Sequence, residues 1–137
     1  MTAHKPHQIR IKRAYAAPAD DDGRRVLVDR MWPRGVAREK LALDDWQKEA
    51  SPSDGLRHWF NHDPSRWPEF VRRYGDELKR PPANSAVDEL VRRARKGPLT
   101  LIYAARDEAH NNAVALRDVI VHHLSHRAGT SARGKSP

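Results

Sequence analysis

Residues 24–30 read "RRVLVDR" and residues 99–105 read "LTLIYAA". Each is a short, nearly continuous apolar run rich in branched side chains. A strand with one wet face alternates apolar and polar residues; a strand covered on both faces does not, and such strands belong to parallel sheets packed between other layers. These two runs therefore set the fold class as α/β. A third strand candidate, "IRIKRAYA" (residues 9–16), alternates through Ile9, Ile11 and then Ala14 and Tyr15. The link that follows it, "APADDDG" (residues 17–23), is turn-rich and too short for a full crossover helix. The first two strands are thus expected to flank a third, or to be joined through one helical turn.

The middle of the chain carries helical spacing. "LALDDWQKEA" (41–50) predicts a helix that sends Leu41, Leu43 and Trp46 to a core. "SDGLRHWF" (53–60) offers Ser53 as a cap and Leu56, Trp59 and Phe60 as an apolar face. In "NHDPSRWPEFVRRYGDELK" (61–79), Trp67, Phe70, Val71, Tyr74 and Leu78 share a face, Asp63–Pro64 makes a start, and Pro68 predicts a kink or a restart. "SAVDELVRRARKG" (85–97) offers Ser85 and Asp88 as a capping pair and Gly97 as the stop. A last helix is predicted from Asp107 to Arg127. The expected architecture is one compact α/β domain over residues 9–127, with a small, mostly parallel three-stranded sheet flanked by about five helices. Residues 1–8 are expected to be a flexible arm, and 128–137 a disordered basic tail.

Composition narrows the functional classes. The 137 residues amount to one domain, and no apolar run approaches the ~20 residues of a membrane span. "MTAHKPHQIRIKR" lacks the apolar stretch of a secretory signal, so a cytoplasmic protein is expected, with no membrane partner. The absence of cysteine excludes disulfides, thiolate catalysis and thiolate metal sites. A net charge of +8 favours acidic partners, an anionic small molecule first and nucleic acid second.

The polar residues cluster where the two apolar runs end. "VDRMWPRGVAR" (28–38) leaves the first through Asp29, Arg30, Trp32 and Arg34, and "YAARDEAHNN" (103–112) leaves the second through Tyr103, Arg106, Asp107, His110 and Asn111. In open α/β sheets, ligands bind beyond the carboxyl ends of the strands. If the two strands are parallel neighbours, these groups meet beside the N-terminus of the last helix, which favours an anion. Arg30, Arg34 and Arg106 would grip the anion, with Asp29 orienting an arginine; Trp32 or Tyr103 would stack on a ring. Asp107 and Asn111 would complete the ligand-binding set, and Asp29 or His110 would move a proton if there is catalysis. Each has a plainer role as well: Asp107 as a helix cap, Trp32 as a wedge at the core's edge, and Pro33-Arg34-Gly35 as a turn. Of the four tryptophans, Trp46, Trp59 and Trp67 are expected in the core and Trp32 at the site.

Other constellations carry less. His58 and His62 are four apart and Asp63 follows, but no glutamate lies between them and the stretch reads as a break between helices, so no metal site is assigned. His122, His123 and His126 suit a solvated helix end. No Gly-rich phosphate loop and no cofactor motif is found.

Three stretches, "VLVDRMWPRGV", "LALDDWQKEASPSDGLRHWFNHDPSRWPEFVRRYGDEL" and "GPLTLIYAARDEAHNNAVAL", resemble the YeaO-like branch of the bacterial domain of unknown function number 488. The resemblance spans about Ile9 to Leu124. It implies a compact, cytoplasmic α/β domain and no particular activity. The residues it marks here include Asp29, Arg30, Trp32, Pro33, Arg34 and Gly35, then Trp46, Ser53, Arg57 and Phe60, then Tyr103 and Asn111. The sequence departs from it at Asn112, where the family often has histidine, and in lacking the Cys-His pair that wider relatives carry after the last strand. The reading that follows is a binder of a phosphate- or nucleotide-like anion, with catalysis left open. A nucleic-acid module with a diffuse basic surface and a protein-interaction module with a tryptophan-rich hairpin are the alternatives; the sequence is silent on oligomeric state.

Overall fold

The computed structural model describes residues 9–125. The expected arm (1–8), the final residues of the last helix (126–127) and the basic tail (128–137) lie outside the described residues. Four parallel strands, β1 (Ile9–Arg13), β2 (Arg24–Leu27), β3 (Asp45–Trp46) and β4 (Leu99–Tyr103), form one sheet in the order β1-β4-β2-β3. The two apolar runs are neighbours: Arg24 pairs with Leu99 and Leu27 with Ile102. β1 pairs with the other side of β4, Ile9 with Leu99 through Arg13 with Tyr103. The first two strands thus flank a third, and their short link contains a single 3-10 turn, Asp20–Asp22.

The expected three-stranded sheet is corrected to four. The added strand comes from residues 41–50, predicted as a helix. There the helix α1 (Arg38–Leu41) ends after one turn, because Ala42 adopts a left-handed conformation (φ 49°). The chain then runs alongside β2, with Asp44 N–H on the Arg25 carbonyl (2.8 Å) and Gln47 N–H on the Leu27 carbonyl (2.9 Å). Pairing satisfies backbone groups that β2 would otherwise leave open along its edge. Trp46 is therefore a strand residue, half-buried rather than core.

The other helices are α2 (Asp54–Phe60), α3 (Trp67–Leu78), α4 (Ala83–Lys96) and α5 (Asn112–Ser125). Ser53 caps α2 by accepting from Leu56 N–H, and Asp63 caps the 3-10 turn Pro64–Arg66. α3 restarts at Trp67, which leaves Pro68 in its first turn, where a missing N–H breaks no helical bond. The Ser85 cap is corrected: α4 begins at Ala83, following Pro82, and ends before Gly97.

Both faces of the sheet are covered, as its unalternating strands require. Val26, Val28, Leu99, Leu101 and Tyr103 pack with α2–α5 into the larger core, where Phe60 stacks on Phe70 (4.5 Å between centroids). Leu27 and Ile102 face the other way, onto Leu41, Ala14 and the flanking Trp32, Val36, Leu43 and Trp46. Trp59 and Trp67, expected in the core, lie half-buried at its margin, with Arg66 and Arg73 against the Trp59 ring.

The link between β1 and β2 holds a buried acid. Asp22 accepts from Lys12 Nζ (2.8 Å), Arg25 (2.6 Å) and Ala19 N–H (3.0 Å), and its carbonyl accepts from Thr100 Oγ1 (2.7 Å). Arg25 also donates to the Leu41 carbonyl (2.7 Å), which ties α1 to the sheet. Burial would raise the Asp22 carboxyl, but the bonds from Lys12, Ala19 and Arg25 outweigh it and hold the carboxyl at about 2. Gly23, next in sequence, has φ 66°, and a Cβ there would come within 2.2 Å of the Pro98 carbonyl oxygen. Because the folded-state value lies below the unfolded one, the Asp22 contribution is complete above the ordinary carboxyl range and lost as pH falls through about 2. Asp22→Asn strands the buried Arg25 charge and is expected to lower unfolding stability at pH 7 by ~3–5 kcal/mol. Denaturant melts at pH 7 and pH 2 check this, with the gap between variant and wild type narrowing at the lower pH.

Candidate functional site

A cavity of about 620 Å³ opens beyond the carboxyl ends of β1, β2 and β4. Every residue named from the sequence as a site candidate lines it except Tyr103. The chain after β2 supplies Asp29, Arg30, Trp32 and Arg34, and the chain after β4 supplies Arg106, Asp107, His110 and Asn111. α2 adds Arg57 and Phe60, and the turn after it adds His62.

The two acids are committed to the protein itself. Asp29 is partly buried; its Oδ2 accepts from Ala104 N–H (3.0 Å), and the Asn112 amide lies against it. Asn112 also donates to the Val28 carbonyl (2.9 Å), and Trp46 Nε1 donates to the Asp29 carbonyl (2.7 Å). Asp29 therefore fastens the exit of β2 to the exit of β4 and to α5, where the sequence reading had it orienting Arg30 or Arg34. Burial pushes its carboxyl up, against the bonds from Ala104 and Asn112 and the nearby Arg57 charge. Asp107 accepts from Ala109 N–H, His110 N–H and His110 Nδ1, each at 2.9 Å, and the His110 bond leads the causes that hold its carboxyl low.

Two further expectations shift. Asp107 closes the turn ahead of α5 instead of capping the helix. The cap is Asn111, which is buried, accepts from Val114 N–H (3.0 Å) and donates to the Asp107 carbonyl (2.9 Å). Tyr103 is buried with its hydroxyl pushed up by burial, so it lies behind the cavity wall, out of stacking reach of a ligand. Trp32 lines the cavity but is occupied: Nε1 donates to the Val36 carbonyl (2.7 Å), Trp46 meets its ring edge-on (5.5 Å) and Arg38 lies over it (5.4 Å).

The cations are far less committed. Arg30 Nε is buried without a hydrogen-bond partner, its nearest carboxylate oxygen being Asp54 Oδ1 at 3.9 Å. Arg57 shares that carboxylate (3.2 Å). Among the described residues, the exposed Arg34 and Arg106 have no side-chain bond or ion pair. His110 packs edge-on against Trp67 (5.3 Å) and bonds Asp107 through Nδ1, so Nε2 is its remaining ring nitrogen. The sequence reading missed Arg57 and Tyr15 as lining residues. Tyr15 follows the end of β1 as Asp29 follows β2, so the same strand-end rule finds it once β1 is placed beside β4. Arg57 is among the residues that the family resemblance marks, but its place at the cavity needs the docking of α2, which residue pattern does not give.

The inactive DUF488-N3 subclade matches residues 8–137, and the chain is a member of that family. Uncharacterized protein YeaO of Escherichia coli K12 is 40% identical over 110 residues, which covers 80% of this chain and 94% of that one. Uncharacterized protein Rv3073c of Mycobacterium tuberculosis H37Rv is 36% identical over 113 residues, covering 82% and 93%. No solved structure matches the chain.

The Asp29 geometry has a measurable sign. A carboxyl raised on folding takes up a proton more readily in the folded state, so its charge costs stability above that raised value and the cost fades as pH falls through it. Asp29→Asn keeps an acceptor for Ala104 N–H and removes the charge; its melting temperature at pH 7 is expected to equal or exceed that of wild type, with the difference vanishing below the ordinary carboxyl range. Asp29→Ala leaves the Ala104 amide without its acceptor and is expected to cost ~1–3 kcal/mol. Calorimetric melts of the two variants from pH 3 to pH 8 check both.

Proposed function

We propose that this domain binds a small anionic ligand carrying a phosphate-type group, and that it binds without turning the ligand over. The observation that carries the reading is the charge balance of the cavity. Arg30, Arg34, Arg57 and Arg106 line it against Asp29 and Asp107, both acids are spent on internal hydrogen bonds, and the single carboxylate of Asp54 is shared by Arg30 and Arg57, which leaves Arg34 and Arg106 without an acid among the described residues. Converging guanidinium groups repel one another unless an anion joins them, and their planar forks suit phosphate or carboxylate oxygens. The start of α5 opens on the same cavity through Asn111 and Asn112, which adds the positive end of a helix dipole.

Three features favour binding over catalysis. The family is described as inactive. The chain has no cysteine to serve as a nucleophile. At position 112, where the resemblance often has histidine, an asparagine sits against Asp29, and an amide cannot shuttle a proton. In this reading His110 and Asp29 are not acid–base catalysts; His110 Nε2 serves as a hydrogen-bonding group for the ligand.

The alternatives find less support. On α3 and α4, Arg72 and Arg73 pair with Glu69, and Arg92 and Arg93 pair with Glu89, so much of the helical positive charge is offset within the helix that carries it. The tryptophans of the α2–α3 hairpin are packed against the core rather than displayed.

Isothermal titration with inorganic phosphate and with ribose 5-phosphate tests the proposal. Saturable binding that weakens with added salt is expected. Arg106→Gln should weaken it about tenfold or more, as for a lost charge-assisted bond, with the unliganded melting temperature unchanged because that side chain has no hydrogen-bond or ion-pair partner among the described residues. Arg106→Lys should recover part of the loss. Binding that is absent, or indifferent to Arg34→Gln and Arg106→Gln combined, refutes the proposal.

A further inference from the structure

Among the described residues the exposed large hydrophobic side chains are Tyr15 (49%), Met31 (65%) and Val71 (37%), and the first two line the cavity that holds the arginines. They come from different strand exits, Tyr15 after β1 and Met31 after β2, and neither fills a core. Tyr15 is held in place on two sides. Its hydroxyl donates to the Arg34 carbonyl (3.0 Å), and the Arg13 guanidinium lies over its ring at 4.8 Å. Arg13 is braced in turn by the Ala104 and Ala105 carbonyls at the end of β4 (3.1 and 2.9 Å). One face of the ring is thereby covered by a cation, and the residue as a whole stays half-exposed. Trp32 is half-buried, with Trp46 edge-on to its ring as well as a cation over it, and Tyr103 is buried, so Tyr15 is the more open aromatic surface.

We propose that Tyr15 and Met31 seat a planar heterocyclic ring, which makes the ligand a nucleotide: its phosphate on the arginines and its base against Tyr15. This rests on the anion reading above and adds the ring. Two apolar side chains at the mouth of a cavity of about 620 Å³ match one ring and one phosphate group, and the volume falls within the usual range for small-molecule sites. A thioether beside an aromatic ring is a soft, polarizable contact for a base of any sequence. The Tyr15 hydroxyl bond to the Arg34 carbonyl joins the ring seat to the turn that presents one of the arginines, so the two halves of the ligand would be held by one loop.

The test compares adenosine 5′-monophosphate with ribose 5-phosphate by isothermal titration on the full chain. The two share sugar and phosphate and differ in the base. The monophosphate is expected to bind at least about fivefold more tightly, the lower end of base–aromatic stacking. Tyr15→Ala should abolish that difference, bringing the monophosphate down to the affinity that ribose 5-phosphate has for the same variant. Tyr15→Phe, which keeps the ring and loses the bond to Arg34, should retain the difference. Met31→Ser, at an exposed position that folding does not need, should reduce the monophosphate affinity alone. Equal affinities in the wild type, or an equal loss for both ligands in Tyr15→Ala, overturn the ring seat while the anion site stands. Binding of neither compound overturns both.

Discussion

The sheet depends on one buried carboxylate. Asp22 sits in the ten-residue link between β1 and β2, strands that run in the same direction and are separated by β4. A parallel connection ordinarily uses a helix to carry the chain back across the sheet. Here Lys12 of β1 and Arg25 of β2 close on the same side chain, and Thr100 of β4 bonds its carbonyl. One acid thus fixes three strands at the edge remote from the cavity. The arrangement takes Asp22 and Arg25 out of water and Lys12 partly so, which costs desolvation and returns it only if every partner is in place. It also explains a glycine at position 23, where the chain must pass the Pro98 carbonyl with no room for a Cβ.

At the opposite edge a second acid acts similarly and less completely. Asp29 bonds the amide of Ala104 and meets Asn112, so the exits of β2 and β4 and the start of α5 hold a fixed spacing. The arginines on those exits inherit that spacing without being held themselves. The division of labour is physical: acids that satisfy backbone donors make the frame, and guanidinium groups such as those of Arg34 and Arg106, with no carboxylate partner among the described residues, make the open positive surface.

The layer structure was legible because burial on both faces leaves a mark: "RRVLVDR" and "LTLIYAA" do not alternate, and they proved to be adjacent parallel strands. β3 was not legible. Leu41, Leu43 and Trp46 carry a pattern that also suits a helix, and a two-residue strand is set by its partner's open edge rather than by its own propensity. The caps divided along the same line. Ser53 and Asp63 act locally and were readable, whereas Ser85 lost its role to a helix start two residues earlier. For the candidate site, the strand-end rule gathered residues from two segments far apart in sequence, of which only Tyr103 fell behind the wall. What pattern alone could not supply was commitment. Asn111 looks as polar as Arg106 in sequence, yet one caps a helix and the other is free to act.

The central strand β4 is the last of the four in the chain, and the backbone pairing of β1 with β2 runs only through it. A chain growing from its N-terminus therefore carries its first two apolar strands through most of synthesis without their principal neighbour. The two-residue pairing of β2 with β3 offers little in the interim. Contacts this distant in sequence must wait for loop closure, which slows folding and leaves strand edges uncovered meanwhile. Assembly of the sheet is thus a late, nearly concerted event, and a nascent chain stalled before Leu99 presents to chaperones and proteases the same unpaired edges that the finished domain conceals.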